Sequence, residues 1–262
     1  QGYDSFVVEG QWNILKTLER ESLVLNGLAQ PLTEIESLAS PILDAMAVRY
    51  VIADDPGLIE EHDFLQPEYE LIESKGLIVY ERKNPIPRWF LTDNVIYAGS
   101  NLEALELITS DGFMELTGNT ENPCVIIEAE PPVPADIQAD NVRLNHNNQA
   151  PGRISMVDEN PQRIEFSVNA ERDCVMVLSD VFYPEWKAFL DGEETEIMKA
   201  NTAYRAVTVP TGEHSIVFRL NPDSFRVGAW LGGIIFILLL VLSGIEGMLK
   251  ARGRAGSPDS LT

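Results

Sequence analysis

Cysteine, histidine and basic charge are all scarce in this chain. Only two cysteines, Cys124 and Cys174, occur in 262 residues. A disulfide-stapled scaffold and a four-cysteine zinc centre are therefore both excluded. Each cysteine opens an apolar run, "CVIIEA" and "CVMVLSD". That setting predicts thiols packed in a core, with one disulfide between them as the alternative. His62, His146 and His214 lie far apart and near no cysteine pair, so no metal site of the Cys/His kind is expected. Nineteen Lys and Arg stand against 41 Asp and Glu, a net charge of −22. Such a surface repels phosphate backbones and anionic headgroups, so nucleic acid is not an expected partner. The same acidity would also suit solvation in a salty habitat.

Signatures of self-sufficient catalysis are missing too. There is no GxSxG elbow, P-loop, HExxH or dinucleotide-binding glycine run, so no cofactor is expected and no catalytic residue stands out. The acidic pairs Asp54-Asp55, Glu60-Glu61 and Glu193-Glu194 could hold calcium or act as acid and base. Among 41 carboxylates such pairs arise by chance, and solvated surface is the better reading. Arg88 and Trp89 in "IPRWFLTD" could make a cation–π or anion contact, and a structural role is again preferred. No Asn-x-Ser/Thr sequon occurs, which gives no support to eukaryotic secretion.

What the chain does have is a long apolar run. From Val227 to Ile245 it reads "VGAWLGGIIFILLLVLSGI", nineteen residues without a charge. As a helix this spans roughly 28 Å, close to the hydrocarbon thickness of a bilayer. The sequence thus predicts a transmembrane helix over 226–247. Lys250, Arg252 and Arg254 follow it, which puts the tail, 248–262, in the cytoplasm and the bulk outside the cell membrane. Exporting that bulk calls for earlier membrane helices, and "QGYDSFVVEGQW" is neither a leader nor a span. The expectation is a fragment of a longer membrane protein; a tail-anchored protein with a cytoplasmic bulk is the alternative. Gly228 and Gly232 form a GxxxG, with Gly233 beside it, which would let another helix approach closely.

Before that run the grammar changes once. Residues 1–122 mix helix and strand signals. Thr33 to Glu36 is a capping box, and Ser40-Pro41 opens a second short helix through Met46. "VRYVIAD", "YELIES" and "LIVYERK" read as strands, the last two around a Lys75-Gly76 turn. In "SNLEALELITSDG" Ser100 caps a helix, Glu103 answers it and Asp111-Gly112 stops it. From Pro123 the helical period is lost. A proline-rich link then leads to runs alternating with period two, among them "QRIEFSV", "CVMVLSD", "YRAVTV" and "HSIVFRL". The predicted fold is α+β: a small mixed α/β domain (1–122), then an antiparallel β-sandwich (123–225), then the membrane helix.

Within the sandwich, "YPEWKAFLDGEE" (183–194) raises the question of a site. Asp191-Gly192 sits between two strand patterns and reads as a hairpin turn, since Asp tolerates and Gly accepts positive φ. Tyr183 and Trp186 read first as rim or core residues, with sugar stacking as the functional alternative.

The wider stretch "FYPEWKAFLDGEETEIMKANTAYRAVTVPTGEHSIVFRLNPDSFRVGAW" resembles the C-terminal signature of the YfhO-type bacterial membrane proteins. These are polytopic proteins similar to the GT-C class of lipid-linked-sugar glycosyltransferases. Tyr183, Pro184, Trp186, Asp191, Gly192, Ala200, Asn201, Tyr204, Arg205, Pro210, Gly212 and His214 match the pattern. Glu185 departs from it, standing where glycine is usual. "AVRYVIAD", "LIVYERKNPIPRWFLTD" and the opening "QGYD" are weaker echoes. The resemblance implies an extracytoplasmic accessory domain and last helix, partnered by the lipid bilayer and an N-terminal membrane bundle of the same protein. It implies service to glycosyl transfer from a polyprenyl-phosphate sugar to a cell-envelope acceptor. The family's catalytic acid lies in an early loop with no counterpart here, so none is carried over. Tyr183, Trp186, Tyr204 and Arg205 are the candidate glycan contacts. A membrane-anchored carbohydrate-binding or scaffolding module without catalysis is the second reading, and a stand-alone hydrolase in the α/β part is the third.

Overall fold

The computed structural model describes residues 35–255 apart from 41, 54, 56, 75, 111–112, 114–119, 129–141, 144–147 and 222. The opening "QGYD", Thr33, Pro41, Lys75, the Asp111-Gly112 stop, His146 and most of the proline-rich link lie outside the described residues. The fold is α+β and mostly strand. Strands β1 (Tyr50–Ala53), β2 (Tyr69–Ser74) and β3 (Leu77–Arg82) form an antiparallel sheet in the order β1-β3-β2. Its inner face, with Tyr69 and Tyr80, closes on Leu38, Ile59 and Leu65. The expected first helix is a short 3-10 turn, Ile35–Ala39, and the second a single α turn, Ile42–Ala45.

The remaining strands are β4 (Trp89–Thr92), β5 (Val95–Ala98), β6 (Val125–Glu128), β7 (Val142–Arg143), β8 (Gly152–Asn160) and β9 (Arg163–Ala170). They continue with β10 (Cys174–Val181), β11 (Trp186–Leu190), β12 (Glu193–Thr195), β13 (Met198–Ala200), β14 (Tyr204–Val209) and β15 (Gly212–Leu220). They make two sheets, one ordered β4-β10-β14-β13-β6-β5-β7 and the other β12-β11-β15-β9-β8.

The larger sheet cannot be flat. In hydrogen-bonding order β4 and β5 stand five steps apart, about 24 Å at the usual strand spacing. In sequence only Asp93 and Asn94 separate them, a reach of at most about 11 Å. The sheet must therefore curl until its two ends meet. Along its inner face run Phe90, Val95, Tyr97, Val125, Val175, Val177, Tyr204 and Ala206. The outer face carries the alternate residues. Leu91, Met176, Leu178 and Val207 pack on Phe166, Ile216 and Phe218 of the five-stranded sheet. Ile96, Ala98 and Ile126 pack on Ala104 and Ile108 of the helix Asn101–Ile108.

That helix is capped as its sequence requires. The Ser100 hydroxyl accepts from the Glu103 amide at 3.2 Å, while the Glu103 carboxylate accepts from the Gly99 amide at 2.8 Å. It lies between β5 and β6, which pair in parallel and so need a crossover. Within 123–225 the pairs β10–β14, β11–β12, β13–β14, β15–β9 and β8–β9 are antiparallel, as expected. The parallel partner of β6 comes from the earlier region, so β4 and β5 share one sheet with β6, β10, β13 and β14. The described residues up to Arg219 cluster as one compact unit and those from Leu220 onward as another. The second unit contains the helix Asp223–Ala255, 33 residues long. Its described side chains include a charge-free stretch, Trp230–Ile245, whose large apolar members are all exposed. Among the described residues no helix is long and apolar enough to cross a membrane.

One turn is unusual. Ala200, which ends β13, and Asn201, Thr202 and Ala203, which join it to β14, are all buried, and Asn201 and Thr202 have φ of 45° and 65°. A buried turn must satisfy its own polar groups. The Asn201 amide donates to Ile126 O at 2.7 Å, and its side-chain Oδ1 accepts from the Ile126 amide at 3.0 Å. The side chain thus extends the β13–β6 ladder by one rung. Asn201→Ala leaves a buried amide unpaired and puts a Cβ residue without a polar side chain at positive φ, an expected loss of about 3 kcal/mol. Asn201→Gly removes the same hydrogen bond without the conformational cost and should lose about 1 kcal/mol less. Denaturant midpoints of the two variants check this; equal losses would show that the left-handed backbone carries no penalty here.

Candidate functional site

The four candidate contacts sit on β11, β14 and the loop before β11. Tyr183 is the exposed member, at 44%. Tyr204 opens β14 with its ring in the inner core, and burial pushes its phenol well above the usual range. Arg205, the next residue, turns to the opposite face of the strand, as β geometry demands, and enters the space between the two sheets. It is 2% exposed. Its guanidinium lies over the Trp186 ring, 4.2 Å from the centroid, and 5.4 Å from that of Phe218.

A charged group in that position needs an opposite charge. Arg205 Nη2 donates to Asp180 Oδ2 at 2.8 Å. Asp180 also receives a two-pronged contact from Arg88, with Nε at 2.7 Å and Nη2 at 2.9 Å, and Arg88 Nη1 reaches Glu159 at 2.9 Å. The result is a row Arg205–Asp180–Arg88–Glu159 running from the core to the surface. Burial pulls Arg205 down to about 10; Asp180 opposes that fall and Arg88 adds to it. The hydrogen bonds Arg88 donates to Asp180 hold it above its ordinary value. Arg205 Nη1 is buried and has no hydrogen-bond partner among the described residues.

The structure therefore brings Trp186 and Arg205 together but not as a sugar platform. Arg205 covers one face of the indole, Tyr204 belongs to another core, and only Tyr183 stands open. Trp186 and Arg205 clamp one sheet to the other. Arg88, set aside from sequence as a structural residue, belongs to the same row, and its guanidinium also lies 6.0 Å from the Trp89 ring.

Asp191 and Gly192 have φ of 52° and 91°, the two-residue hairpin turn read from the sequence. Asp191 does more than turn. Its Oδ1 accepts from the Ser215 amide at 2.8 Å and its Oδ2 lies 2.7 Å from His214 Nδ1. These contacts, the His214 one first, hold its carboxyl below the usual 3.8. An Asp–His pair is two thirds of a hydrolase triad, but His214 Nε2 is buried with no hydrogen-bond partner among the described residues. Only the spacing from Asp191 to His214 in the family-like stretch could have signalled this contact.

A second polar cluster had no sequence signal. Asp93, 5% exposed, accepts from Asn122 Nδ2 at 2.8 Å and pairs with Arg172. Arg172 Nη2 also donates to Gln149 O at 2.7 Å. Thr92 Oγ1 lies 2.6 Å from Pro123 O and accepts from the Asn94 amide at 3.0 Å. The Asn94 side chain donates to Asn122 O at 2.9 Å. This cluster fastens the β4–β5 link, and a cavity of about 270 Å³ opens beside it. Cys124 and Cys174 are free and buried, and burial pushes each thiol up to about 12. No known protein family, curated protein or solved structure matches the chain.

Two predictions follow from the paired charges. Asp180→Ala strands the buried Arg205 and should cost about 3 kcal/mol or more; adding Arg205→Met removes the stranded charge and should recover at least about 1 kcal/mol of that loss. Chemical denaturation of the single and double variants measures both, and a double variant worse than Asp180→Ala alone would show that Arg205 is not held by this pair. For Asp191 the folded pKa lies below the unfolded one. Its contribution is full above the ordinary 3.8 and is lost as pH falls through the lowered folded value. Asp191→Asn should therefore flatten the fall in urea midpoint between neutral and strongly acid pH; an unchanged fall would remove Asp191 from the acid response.

Proposed function

We propose that the chain is a membrane-tethered, non-catalytic part of a YfhO-like glycosyltransferase. In this reading the β-rich unit lies outside the cytoplasm, the helix over 226–247 crosses the bilayer, and the tail returns to the cytoplasm. The domain serves sugar transfer from a polyprenyl-phosphate donor to a cell-envelope acceptor, packed beside further membrane helices of the same protein.

The observation that carries the proposal is the helix Asp223–Ala255 with its stretch of exposed apolar side chains. The nineteen charge-free residues from Val227 to Ile245 lie wholly within it, enough for a hydrocarbon core of about 30 Å with little mismatch. In sequence only Asn221 and Pro222 separate it from β15. The glycines at 228, 232 and 233 have nothing within 4 Å of where a Cβ would be, which suits close approach by another helix. The family-like residues supply the glycosyl-transfer part of the reading, and the Arg205–Asp180–Arg88 row supports the non-catalytic part because its groups are turned to one another.

A membrane-anchored module that binds carbohydrate without catalysis is the second reading, favoured by the cavity beside Asp93. The test is topological. In spheroplasts of cells making the protein with an epitope tag after Thr262, external protease should remove the β-rich unit and leave the tag protected. Carbonate at high pH should not extract the protein. A protected β-rich unit with a clipped tag, or release by carbonate, overturns the proposal.

A further inference from the structure

The curled sheet leaves a mouth where its ends meet, and the cavity of about 270 Å³ lies there. Its floor is one cross-strand row. Thr92 on β4 and Thr208 on β14 both pair with Val175 on β10, so all three point to the inner face. Val95 and Tyr97 of β5 form the facing wall. The end is Asp93, fixed by Arg172 and Asn122 rather than mobile. Mouths of barrel-like sheets are recurrent sites for small ligands.

We propose that this cavity binds a single neutral sugar ring. The choice of a sugar rests on the glycan reading above; the chemistry of the lining is independent of it. The volume matches about nine waters' share of liquid, which is the scale of one ring and too small for a chain. Val95, Tyr97 and Val175, core residues with a small exposed edge, offer an apolar wall for the C–H side of a pyranose. The exposed polar groups are the Thr208 hydroxyl and the Asp173 carboxylate at the rim, while Thr92 and Asp93 behind them are buried and already engaged by Pro123, Asn94, Asn122 and Arg172. Carboxylates only accept, so the ligand must bring donors, as hydroxyls do. No Lys, Arg or His lines the cavity among the described residues, so an anionic sugar or phosphate would meet only like charge. A simple amine is disfavoured for a different reason. Arg172 already balances Asp93, and the remaining carboxylate, Asp173, is exposed and receives the Thr211 amide and hydroxyl.

The full chain in a zwitterionic detergent, free of sugar headgroups, is the material for the test. Saturation-transfer NMR is run with glucose, galactose and N-acetylglucosamine, each at about 10 mM, a range suited to the millimolar affinity of one ring. Glucuronate and ethanolamine are run alongside. At least one neutral sugar should give transfer, and glucuronate none. Thr208→Tyr fills the cavity from an exposed position and should abolish the signal. Thr208→Val keeps the shape and removes one hydroxyl, and should weaken binding by up to about tenfold. Tyr183→Ala should leave binding unchanged, which separates the cavity from the exposed ring before β11. No transfer from any neutral sugar, transfer that survives Thr208→Tyr, or binding of ethanolamine alone overturns the proposal. Sugar binding with inverted topology would retire the transferase reading and leave the cavity assignment standing; correct topology without binding does the reverse.

Discussion

The two residues between Thr92 and Val95 set the terms for the rest of the fold. They join strands that hydrogen bonding places at distant positions of one sheet, so the sheet has to curl, and the curl determines what each face meets. The inner face closes on itself around Tyr204 and Ala206; the outer face is left to be covered by a second sheet at one end and the helix Asn101–Ile108 at the other. A link this short, buried beside a charged residue, needs its polar groups satisfied. Asn122 meets that need by engaging Asp93, Thr92 and, through its carbonyl, Asn94. Arg172 then balances the Asp93 charge from the far side. The cavity exists because a curled sheet leaves space at its mouth that the flanking side chains do not fill.

The Arg205 row holds the second major contact, sheet against sheet, by a costlier route. Taking a guanidinium from water is unfavourable by several kcal/mol, and an apolar residue of similar shape often packs there with no loss of stability. What the charge adds is register. Arg205 can meet Asp180 and lie over Trp186 in one relative position of β14, β10 and β11, whereas the aliphatic side chains around it would tolerate small slips. The bulge between Leu178 and Val181 falls beside Asp180, and this break in regular pairing is where the row leaves the core for Arg88 and Glu159. The fold and its surface ion pairs are thus one continuous device.

How far the sequence reveals this depends on range. Local chemistry is legible: Asp191-Gly192 turns at positive φ, Ser100 and Glu103 cap their helix, and "RIEFSV" puts Ile164, Phe166 and Val168 on one buried face. Non-local pairing is not. "CVMVL" reads as an alternating strand of a sandwich, but Cys174 to Leu178 are buried on both faces because β10 lies between two cores, and no five-residue pattern distinguishes these cases. The boundary after residue 122 rested on a change of period, which is real, yet strands from both sides of it share one sheet. The candidate site suffered in the same way. Tyr204 and Arg205 are neighbours in sequence and therefore point to opposite sides of β14, so they could never have formed one surface, and alternation alone would have separated them. The Asp93–Arg172 pair spans 79 residues and left no trace in the sequence.

The helix after β15 obeys a different rule from the rest of the chain. In the β-rich unit, aliphatic side chains are hidden with few exceptions. Along Trp230–Ile245 every large one is at least 48% exposed. Hiding a single Leu or Ile from water is worth about 1.5–3 kcal/mol, so leaving this stretch in water would forfeit tens of kcal/mol, more than a domain's whole margin of stability. The acidic surface of the chain does not relieve that penalty, because charge elsewhere leaves the apolar helix itself unsolvated. Nor is a groove in water a full answer: the exposed side chains lie all round the helix, and a groove would cover one stripe. The proposed membrane crossing answers to this pattern: hydrocarbon would surround the helix on every side, and Gly228 and Gly232, with open space beside them, would admit one close helix.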